Sequence, residues 1–312
     1  MRAGDLHTVA GGWPGRFLGV DAGGSGTRAV LLEGGTVTEL PPGPPMNAWL
    51  TGDFARLLEE IVRAADFTAA CIGVPGLSEP ARARELGELL TARTGAPVYV
   101  TWDGETARAG AFLGGPGVVV IAGTGSAAYG WDGERSVRVG GHGFLLGDEG
   151  SAYWIGRAAV RAALRWEDRM GGSELLHRAV TETTGSGLTD LIGQVHTHPA
   201  ERQRLTVLAP VVASLASDDA EARRILLRAA EHLAELAGGA RRGLARPATA
   251  GAPPALPAAG VGGVFSAPVI WERFAELTGA ARPLAPASVG AALLARQLLT
   301  TQLPNGPVQA RA

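Results

Sequence analysis

Short apolar runs and amphipathic stretches alternate along the chain and are separated by turns rich in glycine or proline. Runs of consecutive apolar residues predict buried strands, whereas apolar residues spaced three and four apart predict helices. The predicted strands span residues 17–20, 29–32, 69–74, 97–101, 118–121, 127–131 and 258–261. The predicted helices span residues 53–65, 80–92, 105–113, 151–166, 173–183, 188–196, 201–215, 219–242, 266–277 and 288–299. This mixture of strands and helices indicates an α/β protein.

The same glycine–hydroxyl pattern occurs twice, each time between two predicted strands. Residues 24–27 read GSGT, and residues 123–126 read GTGS about a hundred residues later. Such self-similarity predicts two related halves that face each other. The strand–turn–strand order argues against a dinucleotide-binding fold, in which the glycine turn opens a helix.

Both glycine turns are candidates for binding phosphate. Glycine lets backbone N–H groups converge on an anion because no Cβ blocks the approach. The hydroxyl groups of Ser25, Thr27, Thr124 and Ser126 are possible further donors. Two such turns facing each other would hold a triphosphate with the help of a divalent metal. The alternative is a pair of ordinary tight hairpins.

Two aspartates follow predicted strands and could carry chemistry. Asp21 ends the first strand, where it could hold Mg²⁺ through water molecules or simply cap the turn. Asp103 stands between a predicted strand and a predicted helix. Ligands of α/β sheets bind at the carboxyl ends of strands, so Asp103 suits a base that accepts a hydroxyl proton. A helix N-cap explains its position almost as well.

The segment GGHGFLLGDEGS, residues 140–151, precedes a long predicted helix. Ser151 is the predicted N-cap of that helix. Asp148 and Glu149 could orient sugar hydroxyls. Alternatively, they favour the N-terminus of the helix through its dipole.

Composition and charge exclude several classes of function. The net charge of −2 gives no basic face for nucleic acid. All 28 basic residues are arginine, so neither a P-loop lysine nor a Schiff-base lysine exists. The single cysteine, Cys71, excludes an internal disulfide framework. No apolar run is long enough for a membrane span, and residues 1–16 lack the apolar core of a signal peptide, so a cytoplasmic location is expected.

Four segments together resemble one known protein family. They are VDAGGSGTR, IAGTGS, GGHGFLLGDEGSAYWIG and GVGGVFSAP, and they extend over about residues 17–300. With them the chain resembles the N-acetylglucosamine kinase branch of the BadF/BadG/BcrA/BcrD ATPase family. The resemblance implies a two-lobed actin-like ATPase (ribonuclease H-like) fold with an interlobe cleft. The expected lobes span residues 17–108 and 109–285, and a last helix, 286–300, is expected to pack back on the first lobe.

By the same resemblance, the chain is a kinase that uses ATP and Mg²⁺ to phosphorylate the 6-hydroxyl of an amino sugar. Asp103 falls where the family has the aspartate that deprotonates this hydroxyl, and Asp21 lies near the metal. The residues assigned to ATP are Gly23, Gly24, Ser25, Gly26, Thr27, Gly123, Thr124, Gly125, Gly262 and Gly263. The residues assigned to the sugar are Asn47, Asp103, Ser126, Gly141, His142, Gly143 and Asp148. A cytoplasmic homodimer is expected.

Two positions depart from the family pattern near the substituents of the amino sugar. Trp102 precedes Asp103, where relatives commonly carry a polar residue. Ala127 follows Ser126, where some relatives carry a side chain that contacts the sugar. A kinase for glucosamine or another hexose, or a nucleotide-dependent sensor or coupling ATPase, is the alternative function.

The segments expected to line the sugar site favour N-acetylglucosamine over glucosamine. An acetamide needs a small apolar recess and amide-type hydrogen bonds, whereas a free amine needs a carboxylate beside it. The apolar and amide candidates are Asn47, Trp49, Pro75, Leu77 and Phe144. The acidic candidates are Glu79, Asp148 and Glu149, of which Asp148 is already assigned to sugar hydroxyls.

Overall fold

The computed structural model describes residues 14–23, 26–46, 54–63, 65–77, 79–197, 204–245 and 255–300. Its strands are β1 Arg16–Gly23, β2 Gly26–Glu33, β3 Thr36–Glu39, β4 Ala69–Val74, β5 Val98–Trp102, β6 Gly117–Ala122, β7 Ser126–Trp131, β8 Ser136–Gly140 and β9 Ala258–Val261. Its helices are α1 Phe54–Arg63, α2 Pro80–Thr94, α3 Asp103–Ala111, α4 Ala152–Glu167, α5 Glu174–Thr184, α6 Leu188–Thr197, α7 Leu208–Ser214, α8 Ala220–Leu244, α9 Pro268–Thr278 and α10 Ala287–Thr300. Among these residues, none of the helices combines the length and the apolar character needed to cross a bilayer.

The first sheet has the strand order β3-β2-β1-β4-β5. β1 and β2 form an antiparallel hairpin, while β1, β4 and β5 run parallel. Side chains alternate between the two faces of a strand, and both faces of this sheet are covered. Leu18 and Ile72 belong to a core that includes Leu58 of α1, whereas Phe17 and Cys71 pack with α10 on the other face.

The second sheet, with the order β8-β7-β6-β9, repeats this topology. β6 and β7 form an antiparallel hairpin, and β9 runs parallel to β6. One face packs on the helical half of the chain, where Val118 and Val120 join the largest core. The other face carries Val119 and Tyr129, which pack with Trp102 from the end of β5. The two sheets therefore share a small apolar contact.

The structure agrees with most predicted elements and corrects a few. β4 and β9 have the predicted bounds, and both glycine patterns connect hairpin strands. The sequence pattern does not predict the short edge strands β3, which is mostly exposed, and β8, which is half-buried, because neither contains a run of consecutive apolar residues. The helix predicted over 201–215 is not continuous in its described part, residues 204–215. A 3₁₀ turn, Leu205–Val207, precedes α7, where Pro210 lacks the N–H that a continuous helix would need.

Three long helices begin with a side-chain cap. Ser151 accepts a hydrogen bond from the N–H of Trp154 at 3.1 Å, which confirms the N-cap predicted for α4. Ser173 caps α5 in the same way, and Asp219 caps α8. Such caps satisfy backbone donors that have no partner within the helix.

α10 contacts its neighbours with almost no side chain between the backbones. A Cβ added to Gly290 of α10 would lie 2.1 Å from the carbonyl oxygen of Thr106 in α3. A Cβ on Gly19 of β1 would lie 2.0 Å from the carbonyl oxygen of Ser288. A Cβ on Gly110 of α3 would lie 2.4 Å from the carbonyl oxygen of Pro286, the residue before α10. Glycine at these positions lets β1, α3 and α10 pack as one unit.

This packing predicts opposite effects for alanine at two helical glycines. Gly290→Ala should lower the free energy of unfolding by about 1–3 kcal/mol, since its Cβ would overlap the backbone of α3. The matched control is Gly193→Ala in α6, where a Cβ would meet nothing within 4 Å. There alanine should raise stability by about 0.5–1 kcal/mol through helix propensity. Urea unfolding of both variants checks this, and a stable Gly290→Ala would contradict the close contact.

Candidate active site

The carboxyl ends of two parallel strands in the first sheet carry acidic residues. Asp21 lies in β1 opposite Gly73 of β4, and Asp103 begins α3 directly after β5. β4 separates β1 from β5, so both acids lie at the same edge of the sheet. Ligands of α/β sheets bind at this edge.

Asp103 is partly buried at the N-terminus of α3. Burial raises the pKa of Asp103 above its usual value. The positive charge of Arg138 and the backbone N–H groups of Gly104 and of Asp103 itself oppose this rise in pKa. The hydroxyl of Thr106 donates to the carbonyl oxygen of Asp103 at 2.9 Å and secures the first turn of the helix. A raised pKa makes this carboxylate a better proton acceptor than an ordinary surface aspartate.

Asp21 is a partly buried acid whose pKa is shifted. Its pKa is raised to about 7, first by burial and then by the negative charge of Asp103, while Arg28 opposes the rise. A carboxylate held this way gains from a nearby cation. Magnesium commonly uses one or two protein carboxylates and completes its shell with water and phosphate oxygens. A single partly buried carboxylate such as Asp21 matches the few protein ligands that magnesium takes.

The first glycine turn is only partly within the described residues. Gly23 and Gly26 face each other at the end of the β1–β2 hairpin, while Gly24 and Ser25 lie outside the described part, as does Asn47. Thr27 is buried, and its hydroxyl donates to the carbonyl oxygen of Pro44 at 2.7 Å. The Thr27 hydroxyl proton is therefore committed to the chain itself.

The second glycine turn is built together with Asp148. The N–H of Ser126 donates to Oδ1 of Asp148 at 3.3 Å, and the Ser126 hydroxyl donates to the carbonyl oxygen of Glu149 at 2.7 Å. A Cβ on Gly125 would lie 2.7 Å from Oδ2 of Asp148, so a larger residue there would displace this carboxylate. Asp148 has a left-handed backbone with φ of 62°, which is uncommon for a residue with a side chain.

Further hydrogen bonds join this turn to the segment 140–151 and to α4. The N–H of Ala152 donates to the carbonyl oxygen of Gly123 at 2.8 Å. The N–H of Gly141 donates to the carbonyl oxygen of Ser126 at 3.0 Å. The structure thus brings together two segments that the sequence analysis singled out separately, and it places exposed His142 and Gly143 beside them.

The glycine pair after β9 lies against the end of β6. Gly262 has φ of 109°, and a Cβ there would lie 2.3 Å from the carbonyl oxygen of Ala122. A Cβ on Gly263 would meet nothing within 4 Å, and the same is true of Gly123 in the second turn. Open backbone therefore lines this edge of the second sheet.

Arg138 is the site residue that sequence reasoning missed. It lies on the unpredicted strand β8, and its guanidinium stands 4.9 Å from the ring centroid of Trp102. Its Nη2 donates to the carbonyl oxygen of Gly141 at 3.2 Å. Trp102 also packs edge-on against Tyr129, at 5.1 Å between centroids. No local sequence signal marks Arg138, because its partners lie far away along the chain.

This arrangement can support group transfer. An acid whose pKa burial raises, Asp103, can take a proton from a bound hydroxyl, and a second acid, Asp21, suits a hydrated cation. In the second glycine turn the N–H of Gly123 donates to the carbonyl oxygen of Gly125 at 3.0 Å, which leaves the N–H groups of Thr124 and Gly125 as candidate donors to an anion.

One relative is similar in sequence to this chain over most of the chain's length. The N-acetylmuramic acid/N-acetylglucosamine kinase of Clostridium acetobutylicum is 31% identical over 233 residues. The match covers 69% of this chain and 76% of that protein.

Two solved structures share the fold. A candidate N-acetylglucosamine kinase from Chromobacterium violaceum gives a TM-score of 0.66 at 24% identity, covering 90% of this chain and 98% of that one. A candidate N-acetylglucosamine kinase from Porphyromonas gingivalis gives 0.70 at 19% identity, covering 91% of this chain and all of that one. The predicted actin-like α/β fold is confirmed.

A family model covers the segments that contain both glycine turns, both aspartates and the pair after β9. It matches residues 18–295, which is nearly the whole of the described chain. The relative from Clostridium acetobutylicum agrees with this match. The chain belongs to the BadF/BadG/BcrA/BcrD ATPase family.

Proposed function

We propose that this protein is an ATP-dependent sugar kinase that phosphorylates the 6-hydroxyl of N-acetylglucosamine or a closely similar amino sugar. The observation that carries the proposal is Asp103, whose pKa is raised by burial at the carboxyl edge of the first sheet. The names of the similar proteins support the same activity, since each is described as a kinase or candidate kinase of N-acetylated amino sugars.

Asp103 is the proposed general base. The oxygen of the sugar hydroxyl bonds to the γ-phosphorus of ATP, while the bond from that phosphorus to the bridging oxygen breaks and ADP leaves. The hydroxyl proton passes to a carboxylate oxygen of Asp103. The proton acceptor and the alignment of the hydroxyl both contribute to the rate.

The glycine turns and Asp21 are proposed to bind the nucleotide. Residues 23–26 and 123–125 would contact the phosphates through backbone N–H groups, except that of Gly123, which donates to the carbonyl oxygen of Gly125. Gly262 and Gly263 would contact the adenosine. Open space at Gly123 and Gly263 supports this assignment, because no side chain fills it. Asp21 would hold Mg²⁺, with water completing the shell of the ion, and the raised pKa of Asp21 supports this because a cation would compensate its buried charge. When bound, Mg²⁺ neutralises charge on the phosphates.

The sugar contacts are also proposals. Asn47, Ser126, residues 141–143 and Asp148 bind the sugar hydroxyls and the acetamide. The left-handed backbone of Asp148 supports the assignment of this residue, because strained backbone conformations are concentrated at functional sites. The Asp148 carboxylate also accepts a hydrogen bond from the N–H of Ser126, and a purely structural role in holding this turn is the competing explanation.

The remaining assignments concern organisation. We propose two lobes, residues 17–108 and 109–285, with the substrates in the cleft between them and the last helix, 286–300, on the first lobe. The packing of α10 on β1 supports the placement of that helix. We also propose a cytoplasmic homodimer that binds neither nucleic acid nor membranes. Leu145 and Leu146, 75% and 84% exposed, offer apolar surface for pairing.

Replacement of the proposed base should abolish most turnover without loss of ATP binding. Asp103→Asn removes the proton acceptor and should lower kcat about 10²–10⁴-fold, while ATP binding changes little. A coupled ADP assay with stoichiometric detection of sugar phosphate measures this. Asp190→Asn, at an exposed position of α6, is the matched control and should retain wild-type turnover. Near-normal kcat for Asp103→Asn would refute the role, and sugar-independent release of phosphate by the wild type would favour a coupling ATPase.

Removal of the Asp21 charge should change how stability depends on pH. The folded pKa of Asp21 is raised from 3.8 to about 7, so between these values the native state holds a proton that the unfolded state has lost. This group therefore lowers stability as pH rises through that window. Asp21→Asn should stabilise the metal-free protein more at pH 8 than at pH 5, as urea unfolding in EDTA would measure. It should also weaken the stabilisation by ADP with Mg²⁺, and an equal effect at both pH values would contradict the assignment.

A further inference from the structure

Arg138 lies between the two groups that the proposed function assigns to the sugar. On one side its Nη2 donates to the carbonyl oxygen of Gly141, in the proposed sugar loop, at 3.2 Å. On the other side its guanidinium lies over Trp102, the residue before the proposed base, with 4.9 Å to the ring centroid. A sugar whose 6-hydroxyl reaches Asp103 and whose ring contacts residues 141–143 would therefore lie next to this guanidinium.

Most of the hydrogen-bonding capacity of Arg138 is available to a ligand. A guanidinium has five N–H donors, and the contact with Gly141 uses a single nitrogen. None of the ion pairs among the described residues includes Arg138, although its charge lowers the pKa of Asp103. The side chain is exposed rather than built into the core.

The surroundings of Arg138 also hold the guanidinium in place. Trp102 is buried, and its ring is fixed edge-on against Tyr129, which pairs with Arg138 across β7 and β8. An arginine stacked on an aromatic ring keeps the edge of its fork free, and that fork matches a carboxylate in a bidentate manner. Neutral sugar hydroxyls do not need a full positive charge at this position.

We propose that Arg138 is a specificity-determining residue that binds a carboxylate carried by the amino sugar. The substrate class is then an N-acetylated amino sugar with a carboxylate on an ether substituent, accepted together with the neutral N-acetylated sugar. This inference rests on the proposed function and extends it to the substituent. The name of the relative from Clostridium acetobutylicum, which pairs N-acetylmuramic acid with N-acetylglucosamine, describes substrates that differ in this way.

The test compares three sugars that separate charge from size. They are N-acetylglucosamine, N-acetylmuramic acid and the methyl ester of N-acetylmuramic acid, which keeps the bulk of the substituent but lacks its charge. The wild type, Arg138→Gln, Arg138→Lys and Arg84→Gln are assayed for kcat/KM with each sugar. Glutamine can still donate to Gly141, lysine keeps the charge without the fork, and Arg84 is an exposed control on α2.

The expected result is a selective loss. Arg138→Gln should lower kcat/KM for N-acetylmuramic acid about 10–100-fold more than for N-acetylglucosamine or the ester, as expected for the loss of charge-assisted hydrogen bonds. Arg138→Lys should recover part of that difference, and Arg84→Gln should leave the ratios unchanged. Thermal melting of each variant confirms that it is folded.

Three other outcomes overturn the inference. If Arg138→Gln lowers kcat/KM equally for all three sugars and moves the acid limb of the pH profile of kcat to higher pH, then Arg138 only keeps Asp103 ionised. If the wild type phosphorylates N-acetylglucosamine but not N-acetylmuramic acid, the carboxylate site is wrong and the proposed function stands. If neither sugar is phosphorylated although ATP binds, the proposed function itself fails.

Discussion

The contact of α10 with α3 and β1 is the constraint on which the rest of the structure depends. Gly290, Gly19 and Gly110 leave no space for a side chain, so the three backbones lie directly against one another. α3 is held from this side while its other end carries Asp103, so the position of the proposed base is set by backbone packing. Such a contact tolerates little adjustment, because protein interiors are close-packed and a backbone cannot move aside as a flexible side chain can.

The charges at the site are balanced only in part. Asp21 and Asp103 lie at one edge of the first sheet, and burial raises the pKa of both. The charge of Arg28 opposes the rise in the pKa of Asp21, and the charge of Arg138 opposes the rise in the pKa of Asp103. Both effects are coulombic and leave the rise only partly compensated. Uncompensated carboxylates of this kind destabilise a protein and are typical of functional sites, where substrates or ions complete the balance. The proposed nucleotide with Mg²⁺ would supply that balance at Asp21.

The second sheet presents its part of the site through hydrogen bonds between backbone segments. The turn at 123–125, the segment 140–151 and the start of α4 are joined by bonds that involve Ser126, Asp148 and Ala152. A displacement of any one of them would disturb the others. Arg138 extends from this unit to Trp102 of the first sheet, so a single side chain contacts both halves of the site.

The sequence by itself determined seven of the nine described strands, the two hairpin turns, the N-cap at Ser151 and the family, because these depend on local patterns of apolar residues, glycine and hydroxyl side chains. It also identified Asp21 and Asp103 through their positions after buried strands, while their chemical roles remain predictions. Only the tertiary structure decided that Thr27 turns its hydroxyl to Pro44, that Asp148 supports Ser126, and that Arg138 reaches Trp102. The first two contacts join residues 17 and 22 positions apart in the chain, so they form only once the segments that carry them are packed. The contact between Arg138 and Trp102 also needs the two sheets to lie together, because each residue belongs to a different sheet.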